Sequence, residues 1–158
     1  MTHRYLVLSD SHRATGVLEQ ILMAAEAGGK TDGVIHLGDG YDDLRSFERH
    51  LPPVIRVPGN CDRTPWNISQ DQLILTAELN GVRVLATHGH MLGVRQGTDV
   101  LKARAMAEKC RVAMYGHTHT PLLKEEDGVL ILNPGAAMDH HYAYLFIGDG
   151  GEVSAELH

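Results

Sequence analysis

Apolar runs separated by polar and glycine-rich punctuation recur along the chain. In its first third the period alternates between that of a buried strand and that of an amphipathic helix. Tyr5-Leu6-Val7-Leu8 is a continuous apolar strand running into Ser9-Asp10, and Val17, Leu18, Ile21, Leu22 and Ala25 then repeat at helical spacing up to Gly28-Gly29. Gly33-Val34-Ile35-His36-Leu37 predicts the next buried strand, Asp42 to His50 the next helix, and Val54-Ile55-Arg56-Val57 a third strand ending at Pro58-Gly59. Strands alternating with helices imply a parallel sheet.

The pattern then changes. Gln72 to Leu79 and Val82 to Ala86 flank Asn80-Gly81, a strong hairpin signal, and a helix is expected from Thr98 to Lys109. Val112 to Tyr115 leads into Gly116-His117, Leu122 to Glu126 and Val129 to Leu132 flank Asp127-Gly128, and Tyr142 to Ile147 turns through Asp149-Gly150-Gly151 into a last strand. This half reads as more antiparallel than the first. No repeat, linker or low-complexity segment interrupts it, so residues 1–158 read as one domain, long enough to bury roughly two-thirds of its unfolded surface.

The polar residues that break these runs carry the chemistry. Asp10, Asp39, Asn60, His88 and His117 each fall directly beyond a predicted strand, where open α/β sheets gather their ligand-binding loops. If the loops are extended, residues at i and i+2 share a side, so Asp10 with His12, and His117 with His119, aim paired donors into one cavity while the Ser11 and Thr118 spacers point elsewhere. Carboxylate plus imidazole suits manganese, iron, zinc or nickel, and the lack of clustered thiolates argues against an iron–sulfur or structural zinc site. Gly59, Gly89 and Gly116 read as permitting sharp loop turns.

Composition narrows the classes. A formal charge of −6 with scattered Lys and Arg leaves no basic footprint for nonspecific nucleic-acid binding, without excluding a short nucleotide as substrate. Neither a signal peptide nor an apolar run approaching ~18 residues is present, so neither export nor a membrane span is expected and a cytoplasmic location is the default. In that compartment Cys61 and Cys110 are expected as reduced thiols. A homo-oligomer is compatible with this composition.

Asp10-Ser11-His12, Gly38-Asp39, Gly59-Asn60-Cys61-Asp62, Thr87-His88-Gly89-His90, Gly116-His117-Thr118-His119 and Asn133-Pro134-Gly135 run in that order over residues 10–135. The series resembles the calcineurin-like metallophosphoesterase superfamily, specifically its minimal bacterial and archaeal phosphodiesterase branch. The resemblance implies an α/β fold, two packed β-sheets flanked by helices. It assigns Asp10, His12, Asp39 and His119 to one divalent metal and Asp39, Asn60, His88 and His117 to a second, with Asp39 as the bridge. The implied cofactors are two divalent transition-metal ions, manganese first, with nickel, iron or zinc as alternatives. The implied reaction is hydrolysis of a small phosphodiester through a metal-bridged hydroxide, with Asp39, Asn60 and His88 as the catalytic positions. Two such ions against two anionic ligands leave roughly +2, and a bridging hydroxide about +1, enough to attract phosphate in an acidic chain.

Cys61 stands where many members of the superfamily carry a histidine thought to protonate the leaving oxygen. A thiol with an ordinary pKa near ~8.5 is a poor substitute, so diesters with good leaving groups are expected over alkyl monoesters. Cys61 itself is read as a small residue near the site and not as a nucleophile. Ala136 replaces a serine common in relatives.

Other polar residues are weighed against plainer roles. His90 shares the i, i+2 spacing with His88 and is read, with Asn60, as touching the substrate phosphate or supporting a ligand. Asp62 and Asp43 either orient metal-binding histidines or make ordinary loop hydrogen bonds. His3, His36, His50 and His158 lack a motif and are read as structural, and His140-His141 as a solvated loop. The rival functions are a phosphomonoesterase and a non-catalytic protein-interaction scaffold of the same fold, as a eukaryotic trafficking subunit resembling this branch is thought to be. A nuclease would be expected to bring extra domains or a basic surface.

Overall fold

A computed structural model describes residues 1–62 and 73–158. Its elements are β1 (Thr2–Leu8), α1 (Thr15–Ala27), β2 (Gly33–His36), β3 (Val54–Arg56), β4 (Ile74–Leu79), β5 (Val82–Thr87), α2 (Asp99–Ala107), β6 (Val112–Met114), β7 (Leu122–Glu126), β8 (Val129–Asn133), β9 (Ala143–Gly148) and β10 (Val153–Leu157). Gln72, the first residue of one expected strand, lies outside the described residues.

The strands form two five-stranded sheets, ordered β10-β9-β1-β2-β3 and β4-β5-β6-β8-β7. Their inner faces share one core, with Val7, Ile35 and Leu145 from the first sheet and Val84, Met114 and Leu132 from the second. Because side chains alternate across a strand, Leu6, Leu8 and Val34 face the other way, onto Leu18, Ile21 and Ala25 of α1. Leu85, Ala113 and Ile131 likewise meet Leu101 and Ala105 of α2. Both faces of the central strands are therefore buried, which explains why their sequences read as unbroken apolar runs. The expected sandwich of two sheets flanked by helices is the observed one.

The second half is more antiparallel than the first, since β9 pairs antiparallel with β10 and, in the second sheet, β4 and β7 pair antiparallel with β5 and β8, but β5, β6 and β8 are parallel to one another. Hairpin turns at Asn80-Gly81 and Asp127-Gly128 reveal the two antiparallel pairs of the second sheet locally. The parallel pairings join strands far apart in sequence and leave no such signal.

The helix expected over Asp42–His50 is a 3-10 turn at Arg45–His50 with no buried residue in it. Leu44 and Phe47, three apart, suit that tighter period, and Pro52-Pro53 stop the chain before an apolar face can accumulate.

The parallel trios β1-β2-β3 and β5-β6-β8 decide where the chemistry lies. Register pairs Leu8 with His36 and His36 with Arg56 in one sheet, and Ala86 with Met114 and Met114 with Leu132 in the other. The carboxyl ends of these strands release the loops that carry Asp10, Asp39, Asp62, His88, His117 and Asn133-Pro134-Gly135.

Candidate metal centre

Two clusters of metal-ligating atoms form where these loops meet, Asp10 with His12 and His119, and Asp39 with His88 and His117. Within each cluster the ligand atoms lie within 4.8 Å of one another. Asp10 Oδ1 faces His119 Nε2 at 3.1 Å and His12 Nε2 at 3.6 Å. Asp39 Oδ2 stands 3.3 Å from His88 Nε2 and 3.6 Å from His12 Nε2, so one carboxylate oxygen faces both clusters.

The loops are not extended at these positions, which corrects the geometric reason for the i, i+2 pairs. Asp10 (φ 54°), His12 (43°), Asp39 (56°), His117 (67°) and His119 (62°) all sit in the left-handed region. Side chains in that region cost energy, and such strain collects where the surrounding structure must aim a functional group. His117 and His119 are correspondingly split between the two clusters.

Buried hydrogen bonds hold each loop. Asp10 Oδ2 accepts from Ser9 Oγ at 2.5 Å and from the His117 backbone N–H at 3.0 Å, tying the β1 loop to the β6 loop. The Asp62 carboxylate accepts backbone N–H groups from Asp39, Gly40, Tyr41 and Gly59 at 2.7–3.1 Å, so it builds the Asp39 loop and orients no histidine. Asp39 Oδ1 accepts the Cys61 backbone N–H at 2.8 Å.

Gly59 and Gly116 are required by space, not by turn geometry. A Cβ on Gly59 would lie 2.2 Å from Asp39 Oδ1, and one on Gly116 1.9 Å from Ser9 Oγ. Gly89 does adopt a left-handed conformation, with φ at 106°.

Three supports escaped the sequence reading. His36, read only as structural, is fully buried beneath the site, accepting the Gly38 N–H on Nδ1 at 3.1 Å and facing Ser11 Oγ with Nε2 at 2.9 Å. With Nδ1 accepting, Nε2 carries the proton and donates to Ser11, which donates to Asp43 Oδ2 at 2.7 Å. Buried Asn133 donates to Gly116 O at 3.2 Å and Thr118 Oγ1 at 3.0 Å, fixing the loop of His117 and His119. Arg95 donates from Nε to His117 Nε2 at 2.9 Å. The Asn-Pro-Gly motif could have flagged Asn133, whereas His36 and Arg95 stand in no motif.

Electrostatics hold the Asp39 carboxylate ionised at the second cluster. Burial opposes ionisation of Asp39, but the His88 hydrogen bond and Cys61 N–H outweigh it and hold the carboxyl well below the usual carboxylate range. Burial would also lower the His88 pKa, yet Asp39 and Asp10 beside it raise it. His88 Nδ1 lies 2.8 Å from the Leu37 carbonyl, so that nitrogen donates and Nε2 faces the cluster. Burial lowers the pKa of His117, with His88 and Arg95 adding to the effect.

Divalent ions fit this donor set. Asp10 Oδ1 is buried without a hydrogen-bond partner, and a bare carboxylate oxygen among imidazole nitrogens is costly unless a cation or proton sits between them. The chain belongs to the calcineurin-like phosphoesterase superfamily. The family's domain description matches residues 4–147. The chain is 34% identical over 131 residues to the probable metallophosphoesterase YsnB of Bacillus subtilis, covering 83% of this chain and 73% of that one. To the phosphodiesterase YfcE of Escherichia coli it is 27% identical over 161 residues, covering 84% and 78%. The fold matches that of a predicted phosphoesterase from Streptococcus pneumoniae with a TM-score of 0.75 and 25% identity, over 100% of this chain and 98% of the other.

The remaining expected site residues lie at the rim. Asn60 is exposed, with Nδ2 3.6 Å from Cys61 Sγ, and among the described residues its side chain makes no hydrogen bond to either cluster. His90 packs beside His88 and His117 with ring centroids 5.6 and 6.2 Å away, and its Nδ1 is buried without a partner. Cys61 is exposed, and burial of its sulfur together with Asp39 pushes its pKa up. A cavity of about 420 Å³ opens beside Asp39 and His12, bordered by Arg13, Tyr41, Asp43 and Cys61.

Among the described residues no helix is long and apolar enough to cross a membrane. Cys61 is an exposed free thiol and Cys110 a buried one.

Proposed function

We propose that this chain is a metal-dependent phosphodiesterase acting on small phosphodiesters, its residues 1–158 forming a single catalytic domain. Asp10, His12, Asp39 and His119 hold one divalent ion, and Asp39, Asn60, His88 and His117 the other, with manganese the preferred metal and nickel, iron or zinc as alternatives. The observation that carries this reading is the placement of Asp39 Oδ2 between His12 and His88, one oxygen addressing both clusters. When bound, the ions would supply Lewis acidity at the phosphate and lower the pKa of a shared water.

The chain's own groups do the positioning. The Leu37 carbonyl fixes the His88 tautomer so that Nε2 faces inward, and the Cys61 N–H fixes Asp39 while leaving its second oxygen free. The exposed Asn60 amide and the half-buried His90 ring are the groups we place against phosphate oxygens. Cys61 stands where many members of the superfamily carry a histidine, and with its raised pKa it is a poor acid for protonating the leaving oxygen. Good leaving groups are therefore preferred, and the name of the relative YfcE supports a diesterase over a monoesterase. The free cysteines fit action in the cytoplasm.

The test is turnover of bis(p-nitrophenyl) phosphate beside p-nitrophenyl phosphate, after metal removal and reconstitution. Manganese is expected to restore diester hydrolysis, and calcium to restore it poorly because it prefers more oxygen ligands. Failure of manganese-loaded protein to turn over any member of a broad diester panel would overturn this reading in favour of a scaffold role.

A further inference from the structure

We propose that Arg95 guards the second metal position: its guanidinium hydrogen-bonds the His117 ring and must leave before His117 can take up an ion. The inference rests on the metal-centre assignment above. Arg95 is exposed on a short 3-10 turn, Val94–Gln96, between Gly93 (φ 61°) and Gly97 (φ 132°), and its Nε–H donates to His117 Nε2 at 2.9 Å. On the other side of the ring, His117 Nδ1 lies 3.2 Å from His88 Nε2.

A neutral imidazole has one in-plane lone pair and one N–H. With the lone pair on Nε2 accepting from Arg95, the proton sits on Nδ1. Coordination of an ion through Nδ1 moves the proton to Nε2, where it faces the guanidinium donor. Coordination through Nε2 uses the lone pair that Arg95 occupies. Either way one imidazole cannot serve Arg95 and an ion at once, and a guanidinium does not lose its proton, so the conflict is resolved only by movement of the side chain.

That movement is open to it, since the Arg95 side chain is exposed and flanked by two glycines. Among the described residues the first cluster has no such competitor, because His12 and His119 face the carboxylates of Asp10 and Asp39. The two positions are thereby made unequal, the second weakened by a group that belongs to the chain itself. Once released, the guanidinium lies beside a phosphoesterase centre and is suited to a phosphate oxyanion, so filling the second position frees an anion-binding group.

The test is calorimetric titration of manganese into metal-free wild type, Arg95→Met and Arg95→Met/His117→Ala, the last identifying the heat of the second position. Arg95→Met is expected to tighten the second position by roughly three- to tenfold and to leave the first unchanged, the size of one exposed charge-assisted hydrogen bond. In nitrogen-detected NMR of the wild type, the Arg95 Nε–H signal is expected to shift in step with the His117 ring nitrogens as zinc is added. Equal second-position affinity in wild type and Arg95→Met would overturn the proposal. An equal gain at both positions would mark a general charge effect and also overturn it, as would an Arg95 signal that stays still while His117 binds zinc. Failure of every variant and the wild type to bind a second ion would instead refute the two-ion centre on which the proposal rests.

Discussion

Acid should remove about 3 kcal/mol of folding stability through His36 alone. Burial brings its pKa down to about 4, with Asp43, Asp62 and Asp10 opposing the shift only in part. In the unfolded chain the value is the ordinary ~6.5. Between these values the native state binds fewer protons than the unfolded state, so stability rises with pH and is lost on acidification. The His36 contribution is fully present above about 6.5, erodes below it, and is lost as pH falls through about 4. Near pH 4 the unfolded ring is almost entirely protonated and the native ring only half, which through linkage gives the figure above.

Replacing His36 by Gln removes the titration while keeping a donor for Ser11. It strands the buried Gly38 N–H, at a cost near neutral pH of about 1–2 kcal/mol. Urea unfolding of both metal-free proteins from about pH 7 to about pH 4 should show the wild type ahead at the start and the variant level or ahead at the end. Parallel stability curves would refute the assignment of His36 as a buried neutral imidazole.

Two further substitutions probe the centre. Gly59→Ala places a methyl 2.2 Å from Asp39 Oδ1 and must displace that carboxylate, so diester turnover should fall by at least ~100-fold with loss of bound metal, read by mass spectrometry alongside the rate. Cys61→Ala keeps the backbone N–H that holds Asp39, so it should retain both ions and activity within about threefold of wild type on an aryl diester. A Cys61→Ala protein that binds both ions yet is as inactive as Asp39→Asn would place the thiol in the chemistry.

The sheets were legible because their central strands are buried on both faces and so carry unbroken apolar sequences such as Tyr5 to Leu8. The parallel order of β5, β6 and β8 was not, since pairing between distant strands leaves no local mark. The residues brought into the two clusters could be read from motifs at strand ends, but the left-handed backbones of Asp10, His12, Asp39, His117 and His119 could not, because Asp and His carry no obligatory turn signal there. His36 looked like an ordinary core residue. Its role beneath Ser11 and Asp43 arises only when the loops after β1 and β2 meet. Arg95 was invisible for the same reason, its contact with His117 spanning 22 positions of sequence.

The most direct test of the account is diffraction from manganese-loaded crystals at the manganese absorption edge. Two anomalous peaks roughly 3.5–4 Å apart are expected, one against Asp10, His12 and His119 and the other against His88 and His117, with Asp39 between them. A single peak, or a second one away from His88 and His117, would contradict the dinuclear centre.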